Sequence, residues 1–359
     1  MKVILASLIA AGLLLTGCNR VPDSVAATPA TYPELIAAGQ REGGLSIYSN
    51  TDSAEAEPLI EAFRKRYPGI AVEYADQSSV EMYSRFIAEV AAGQGSADVL
   101  WGSAMDLQLK LAADGYAQPY HSRESDALLP GSNWRDMVYA TTREPIVIAY
   151  NKRMIPAAQV PRTHADLVRL LRDKPERWKG RVGMLDPERS GLGFLFYAND
   201  MQTSPVAKDV LDALGAIDPK LYSSNGAVLE RLVSGEHAIT YNMIGSYMLK
   251  RQKKDPNVGV IYPTDYTMTM SRLALIPKAA RHPSAAKLFM DFLLSAEAQT
   301  LLAANKMAPV RADMGDGGVG FPAGANFEPI KVDESLLGEL DPVHRLALLQ
   351  TWRRAVRDR

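Results

Sequence analysis

Residues 45–79 read LSIYSNTDSAEAEPLIEAFRKRYPGIAVEYADQSS, and their punctuation decides the fold. Leu45-Ser46-Ile47-Tyr48 is a short strand that stops at the polar loop Ser49-Asn50-Thr51-Asp52. Beyond it, Ala56, Leu59, Ile60 and Phe63 stand at i, i+3, i+4 and i+7, one face of a 3.6-residue period. Pro68-Gly69 closes that helix, Ile70 to Tyr74 is a second strand, and Ser78-Ser79 opens another loop. The unit then recurs. Tyr83, Phe86, Ile87 and Val90 make a helical stripe, Asp98 to Trp101 a third strand, and Gly102-Ser103 its loop; Leu107, Leu111 and Ala112 continue as helix. Strand, polar loop and helix in alternation predict an α/β fold built on a mostly parallel sheet.

Downstream, Ile146 to Tyr150 is a β-branched run flanked by charges, which predicts a strand leaving this first lobe. A second α/β unit follows it. Thr163 caps a helix through Leu167, Leu170 and Leu171; Val182 to Leu185 is a strand, and Asp186 to Gly193 leads into a helix at Phe194. Val228, Leu229, Leu232 and Val233 make another helix and Ala238 to Tyr241 another strand. Val258 to Tyr262 and Arg272 to Ile276 read as return strands, and Ala285 to Leu294 as a strongly apolar helix. The expected organisation is lobe one from residues 32–144 and 272–359, lobe two from 151–264, and hinge segments at 145–150 and 265–271. The last helix, with Leu346, Leu348, Leu349 and Trp352, is expected to pack on lobe one.

The 359 residues suit two domains, and a hydrophobic share of 47% with 23% charged residues excludes a disordered or collagen-like chain. Forty basic residues against 41 acidic ones leave a formal charge of -1, so the basic surplus of a nucleic-acid binder is absent. The one cysteine excludes a disulfide framework and any multi-cysteine metal site. Its place is informative. Met1-Lys2 precedes the apolar run Val3 to Leu15, too short to span a bilayer but suited to a signal-peptide core. Leu15-Thr16-Gly17-Cys18 resembles the bacterial lipobox, in which the cysteine is acylated and becomes the first mature residue. Residues 1–17 therefore read as a lipoprotein signal peptide, Cys18 as the lipidation site, and residues 18–31 as a tether. The expectation is an exported protein held by lipid on the periplasmic side of a membrane.

Four later stretches carry a family resemblance: SRFIAEVAAGQGSADVLW (84–101), PIVIAYNK (145–152), SGEHAITYN (234–242) and PSAAKLFMDFLLSAEAQ (283–299). In this order they resemble the extracellular solute-binding proteins of ATP-driven (ABC) importers, in the branch of ferric-ion and phosphorylated-solute binders. The resemblance implies a type II periplasmic-binding-protein fold, a monomer with a small solute held between two hinged lobes. It implies an ABC permease as partner or, alternatively, a membrane sensor kinase. Ferric members typically use a histidine in the first loop, a glutamate after the third strand and adjacent tyrosines in the second lobe. Here the first loop is Ser-Asn-Thr-Asp, Ser103 stands where the glutamate would, and only Tyr241 and Tyr247 lie near the tyrosine positions. No metal site and no cofactor are expected, and a ferric ion is kept as the alternative cargo. None of the five histidines (His121, His164, His237, His282 and His344) stands in a recognised catalytic arrangement, so no enzyme is expected.

In open α/β sheets ligands bind beyond the carboxyl ends of the strands, which selects the loops. Ser49, Asn50 and Thr51 offer hydroxyl and amide donors before a helix, whose N-terminus favours anions, although capping alone would also explain them. Ser79 and Ser103 stand in equivalent loops. Ser190, Gly191 and Gly193 lie between strand and helix, where consecutive N–H groups can wrap an oxyanion. Tyr241 and Asn242 end a strand at the rim of the second lobe. These ten residues are the candidate binding site for a small, anionic solute, phosphorylated or phosphonate; Arg189 and Arg143 are further candidates to pair with its charge.

Overall fold

The computed structural model describes residues 31–358. The signal peptide and Cys18 lie outside the described residues, as does the tether up to residue 30. Two mixed sheets, each flanked by helices, form the body. In the first, β1 (Gly44–Ser49) lies between β2 (Ala71–Asp76) and β3 (Val99–Gly102), parallel to both. The sheet continues antiparallel through β12 (Leu273–Leu275), β5 (Val138–Ala140) and β4 (Asn133–Trp134). The parallel half is the part written by the repeated strand–loop–helix unit; the antiparallel half comes from a hairpin and a returning strand.

Helices α1 (Tyr32–Glu42), α2 (Ser53–Arg66), α3 (Ser79–Ala91), α4 (Met105–Ala113), α11 (Pro283–Leu294) and α12 (Ala296–Ala304) belong to this lobe. The stripe Ala56, Leu59, Ile60 and Phe63 is buried as its spacing requires. Phe63 meets Phe289 edge to face, with ring centroids 5.2 Å apart. Burying a side chain of this size contributes roughly 1.5–3 kcal/mol. Helix α11 buries nearly all of its residues because it lies between α1 and α2.

The second sheet runs β13 (Phe327–Pro329), β11 (Thr267–Met270), β6 (Glu144–Asn151), β9 (Ile239–Ile244), β7 (Val182–Leu185) and β8 (Lys220–Tyr222), with β10 (Val258–Ile261) also paired to β6. Around it stand α5 (His164–Asp173), α6 (Pro175–Trp178), α7 (Gly191–Thr203), α8 (Val206–Gly215), α9 (Asn225–Ser234) and α10 (Gly245–Lys254). Strand β6 leaves the first lobe, pairs with β11 at its start and with β9 and β10 further on.

The tail corrects one expectation. After β13, α13 (Ser335–Gly338) packs on α4 of lobe one, but α14 (Pro342–Val356) packs on α8 of lobe two. Trp352 is fully buried there beside Tyr197, Leu211 and Ala355. The apolar stripe of the last helix was legible in the sequence, whereas its partner surface was not. The tail crosses from one lobe to the other within a few residues, and a helical period carries no address.

Candidate functional site

A cleft of about 520 Å³ separates the two sheets at the ends of their parallel strands. Lobe one contributes Asn50, Ser78, Ser79 and Ser103, and lobe two contributes Arg189, Ser190, Gly191 and the run Ser223 to Gly226. Tyr247 and Arg272 complete its lining.

On lobe one, Asn50 organises three loops at once. Its amide Nδ2 donates to Ser79 Oγ (2.6 Å) and Ser103 Oγ (2.7 Å), and its Oδ1 accepts from the Ser103 backbone N–H (2.9 Å). The expected residues Asn50, Ser79 and Ser103 therefore come together in the cleft. Their neighbours in sequence do not. Ser49 is buried and its hydroxyl accepts from the Thr51 N–H, while Thr51 Oγ1 accepts from Arg272. Ser49 ends β1 buried, and Thr51 is buried beside Arg272, so both side chains are spent inside the lobe.

On lobe two, Ser190 caps α7, accepting from the Gly193 N–H at 3.1 Å, and Gly191 is the first helical residue. Both line the cleft. Gly193 lies behind them, where a Cβ would stand 3.0 Å from Asp186 O and from Leu185 Cβ, so it serves the close approach of α7 to β7. A second capped helix, α9, starts beside them. Ser224 is its N-cap, and Asn225 Oδ1 accepts from the Ile244 N–H at 3.1 Å. Sequence reasoning missed this end, although Ser-Asn-Gly before an apolar stripe is a cap signature. The preceding strand β8 has only three residues, too few to register as a strand.

Tyr241 and Asn242 were expected at the cleft and are not among its lining residues. A β-bulge in β9 shifts the pairing with β6 there, and Asn242 takes a left-handed φ of 53°. One extra residue re-aims the side chains that follow. Tyr241 Oη donates to Asp200 Oδ2 at 2.5 Å, Asn242 Nδ2 donates to the same oxygen at 3.1 Å, and Tyr266 Oη donates to Oδ1 at 2.5 Å. Burial and the neighbouring Asp200 carboxylate push the Tyr241 hydroxyl well above its ordinary pKa.

Arg272 forms the floor and gave no local signal, since its partner is 128 positions away. Its Nε donates to Glu144 Oε1 at 2.9 Å and its Nη1 to Thr51 Oγ1 at 2.8 Å, with both charged side chains fully buried. Burial opposes the guanidinium charge, and the Glu144 carboxylate more than offsets it, so the Arg272 pKa rises above the ordinary value. Glu144 also accepts from Thr142 and Ser246. Burial pushes the Tyr247 hydroxyl up to about 12, against a pull from Arg272. Arg272 and Glu144 cancel, which leaves the floor near neutral. Arg143 is not a cleft residue; its guanidinium donates to Gly315 O.

The remaining charges are arranged unequally. Glu81 sits in the capping box of α3, accepting from the Ser78 N–H at 3.0 Å, and Asp76 accepts from Ser53. Helices α7 and α9 carry neutral serine caps and no acidic residue in their first turns. Their N-terminal partial charges, roughly half a unit each, face the cleft without an acid of their own.

Comparison with known proteins agrees with this architecture. The profile of the family described as bacterial extracellular solute-binding protein matches residues 58–328. The structure of a substrate-binding protein of an ABC transporter from Agrobacterium tumefaciens has a TM-score of 0.83 at 37% identity, covering 88% of this chain and 94% of that one. The periplasmic binding protein AfuA from Actinobacillus pleuropneumoniae, with fructose-6-phosphate bound, shares the fold (TM-score 0.73, 18% identity, 88% and 99% coverage). Iron uptake protein A1 of Synechocystis sp. is 25% identical over 353 residues, 92% of this chain and 89% of that protein. A two-lobed body with a polar cleft at its strand ends, and a family profile spanning most of its length, make this chain a member of the bacterial extracellular solute-binding proteins, which bind small solutes and work with the membrane permeases of ABC importers.

Proposed function

We propose that this protein captures a small anionic solute, phosphorylated or phosphonate, between its lobes and delivers it to an ABC import permease while anchored to the membrane through Cys18. The observation that carries the reading is the pair of helix N-termini, α7 and α9, that meet at the cleft with serine caps and no first-turn acid. Such ends offer N–H groups and positive potential to oxyanions. Asn50, Ser79 and Ser103 supply further polar groups from the opposite wall; Arg272 is paired with Glu144, and Arg189 is a second cation of a lining that also holds Asp52, Asp76 and Glu81. AfuA, a fold neighbour, holds a bound sugar phosphate, fructose-6-phosphate.

A thermal-shift screen of phosphorylated sugars, phosphoglycerates, phosphonates and ferric chelates tests the reading. A ligand at 100 times its dissociation constant adds about 2.7 kcal/mol of stability. A phosphorylated or phosphonate solute is expected to give the largest shift, and Gly191→Pro to reduce it. Proline is well tolerated at the first helical position, so the variant loses a backbone donor and keeps the helix. A Cβ at Gly191 meets only ordinary contacts, 3.4 Å from Leu107 and 3.7 Å from Val80.

Ferric cargo is the second reading, favoured by the iron uptake relative. A ferric shift without any response to organic anions would replace the first reading with this one. Anchoring has its own test. A Cys18→Ser variant is expected in the soluble fraction after export, because acyl chains contribute about 0.8 kcal/mol per buried CH₂. Undiminished membrane retention would refute the anchor.

A further inference from the structure

We infer that Arg353 and Arg357 of the tail helix are positioning residues for the solute cleft, holding the lobe-two loop that presents Ser190 and Gly191. The inference rests on the interlobe cleft being the binding site. That loop, Asp186 to Ser190, is folded around one residue, Asp186. The Asp186 backbone oxygen accepts from the N–H groups of Arg189 (3.1 Å) and Ser190 (2.9 Å), and its Oδ1 accepts from the Glu188 N–H (2.9 Å). Arg357 then binds Asp186 Oδ2 at 2.8 Å and Glu188 Oε2 at 3.0 Å, while Arg353 binds Glu188 Oε1 at 2.5 Å. Two forked guanidiniums thus fasten both acids of a five-residue turn, a geometry that point-charge lysines do not reproduce.

The same contacts have an electrostatic consequence. Asp186 and Glu188 immediately precede the N-terminus of α7 and would oppose an anion there; Arg353 and Arg357 cancel them. The tail helix is itself firmly seated. Trp352 is fully buried, Tyr197 Oη donates to Leu348 O at 3.0 Å, and Ala355 O lies where a Cβ on Gly215 would come within 1.8 Å. Upstream, the tail is tied to lobe one. Glu334 accepts from Trp134 Nε1 at 3.3 Å and from Arg135 at 2.7 Å, and Leu336 is buried against α4. The clamp on the loop therefore belongs to a segment that also grips the other lobe.

Hydrogen exchange on the full-length, solute-free protein tests this. In an Arg353→Gln/Arg357→Gln variant the amides of Arg189 and Ser190 are expected to exchange about tenfold faster, with β7 and α8 retaining their protection. Trp352→Ala, which unseats the helix by another route, is expected to reproduce the loop effect. An Arg353→Lys/Arg357→Lys variant is expected to fall between the glutamine pair and the parent. Unchanged exchange at Arg189 and Ser190 in the glutamine pair overturns the inference. So does an equal acceleration across β7 and α8, which would make the arginines general supports of the lobe. Because no solute is present, either failure is separate from failure of the anion reading.

Discussion

Replacing Glu144 with alanine is expected to cost about 3–5 kcal/mol, the usual penalty for removing one partner of a buried ion pair. Glu144 and Arg272 are both excluded from solvent, and the guanidinium also serves Thr51 on the first-loop wall. Without the carboxylate, a permanently charged group stays buried with hydroxyls as its nearest compensation. Arginine cannot escape by losing its proton, so the cost falls on the fold. Urea unfolding of the parent and variant measures it. The paired replacement Glu144→Leu with Arg272→Met is expected to recover most of the loss, since apolar isosteres remove the desolvation cost from both sides. A loss below about 1 kcal/mol in the single variant would show that water or local rearrangement reaches the floor of the cleft.

The second large effect concerns Asp106 on α4. Burial pushes its carboxyl up to about 6, with backbone N–H groups at Leu107 and the charge of Arg345 only partly offsetting it. Its Oδ1 has no hydrogen-bond partner. Between about pH 4 and pH 6 the unfolded chain releases this proton while the native state keeps it, so stability falls as pH rises across that window. The size is about 3 kcal/mol, from a shift of about two pKa steps at about 1.4 kcal/mol each. Asp106→Asn removes the ionisation. Its stability relative to the parent is therefore expected to improve by about that amount between pH 4 and pH 7. Denaturation curves at those two pH values provide the comparison; a difference between the proteins that does not change with pH would defeat the argument.

Legibility followed the range of the physics. Ala56, Leu59, Ile60 and Phe63, or Val182 to Leu185, declare helix and strand through nearest-neighbour periodicity, and the structure buries them accordingly. Asn50, Ser79, Ser103, Ser190 and Gly191 were legible because polar caps after strands mark the ligand end of an α/β sheet. Arg272 was not, since a buried arginine is defined by a glutamate far off in sequence. Tyr241 and Asn242 misled because a single bulged residue changes which way a strand points, and one sequence carries no trace of that register. Ser224 and Asn225 hid behind a strand of three residues. The tail helix showed its apolar face but not the surface that face would cover.

The order of the first sheet has a consequence for the life of the chain before it reaches its destination. Strand β12, from residues 273–275, sits between β3 and β5, so the hairpin of β4 and β5 meets the parallel strands only through it. A nascent chain that has emerged only as far as residue 270 holds two pieces of sheet with a vacant lane between them. Pairings between such distant segments form slowly, because loop closure precedes their reward. The first sheet, begun at residue 44, is thus closed only when residues 273–275 arrive.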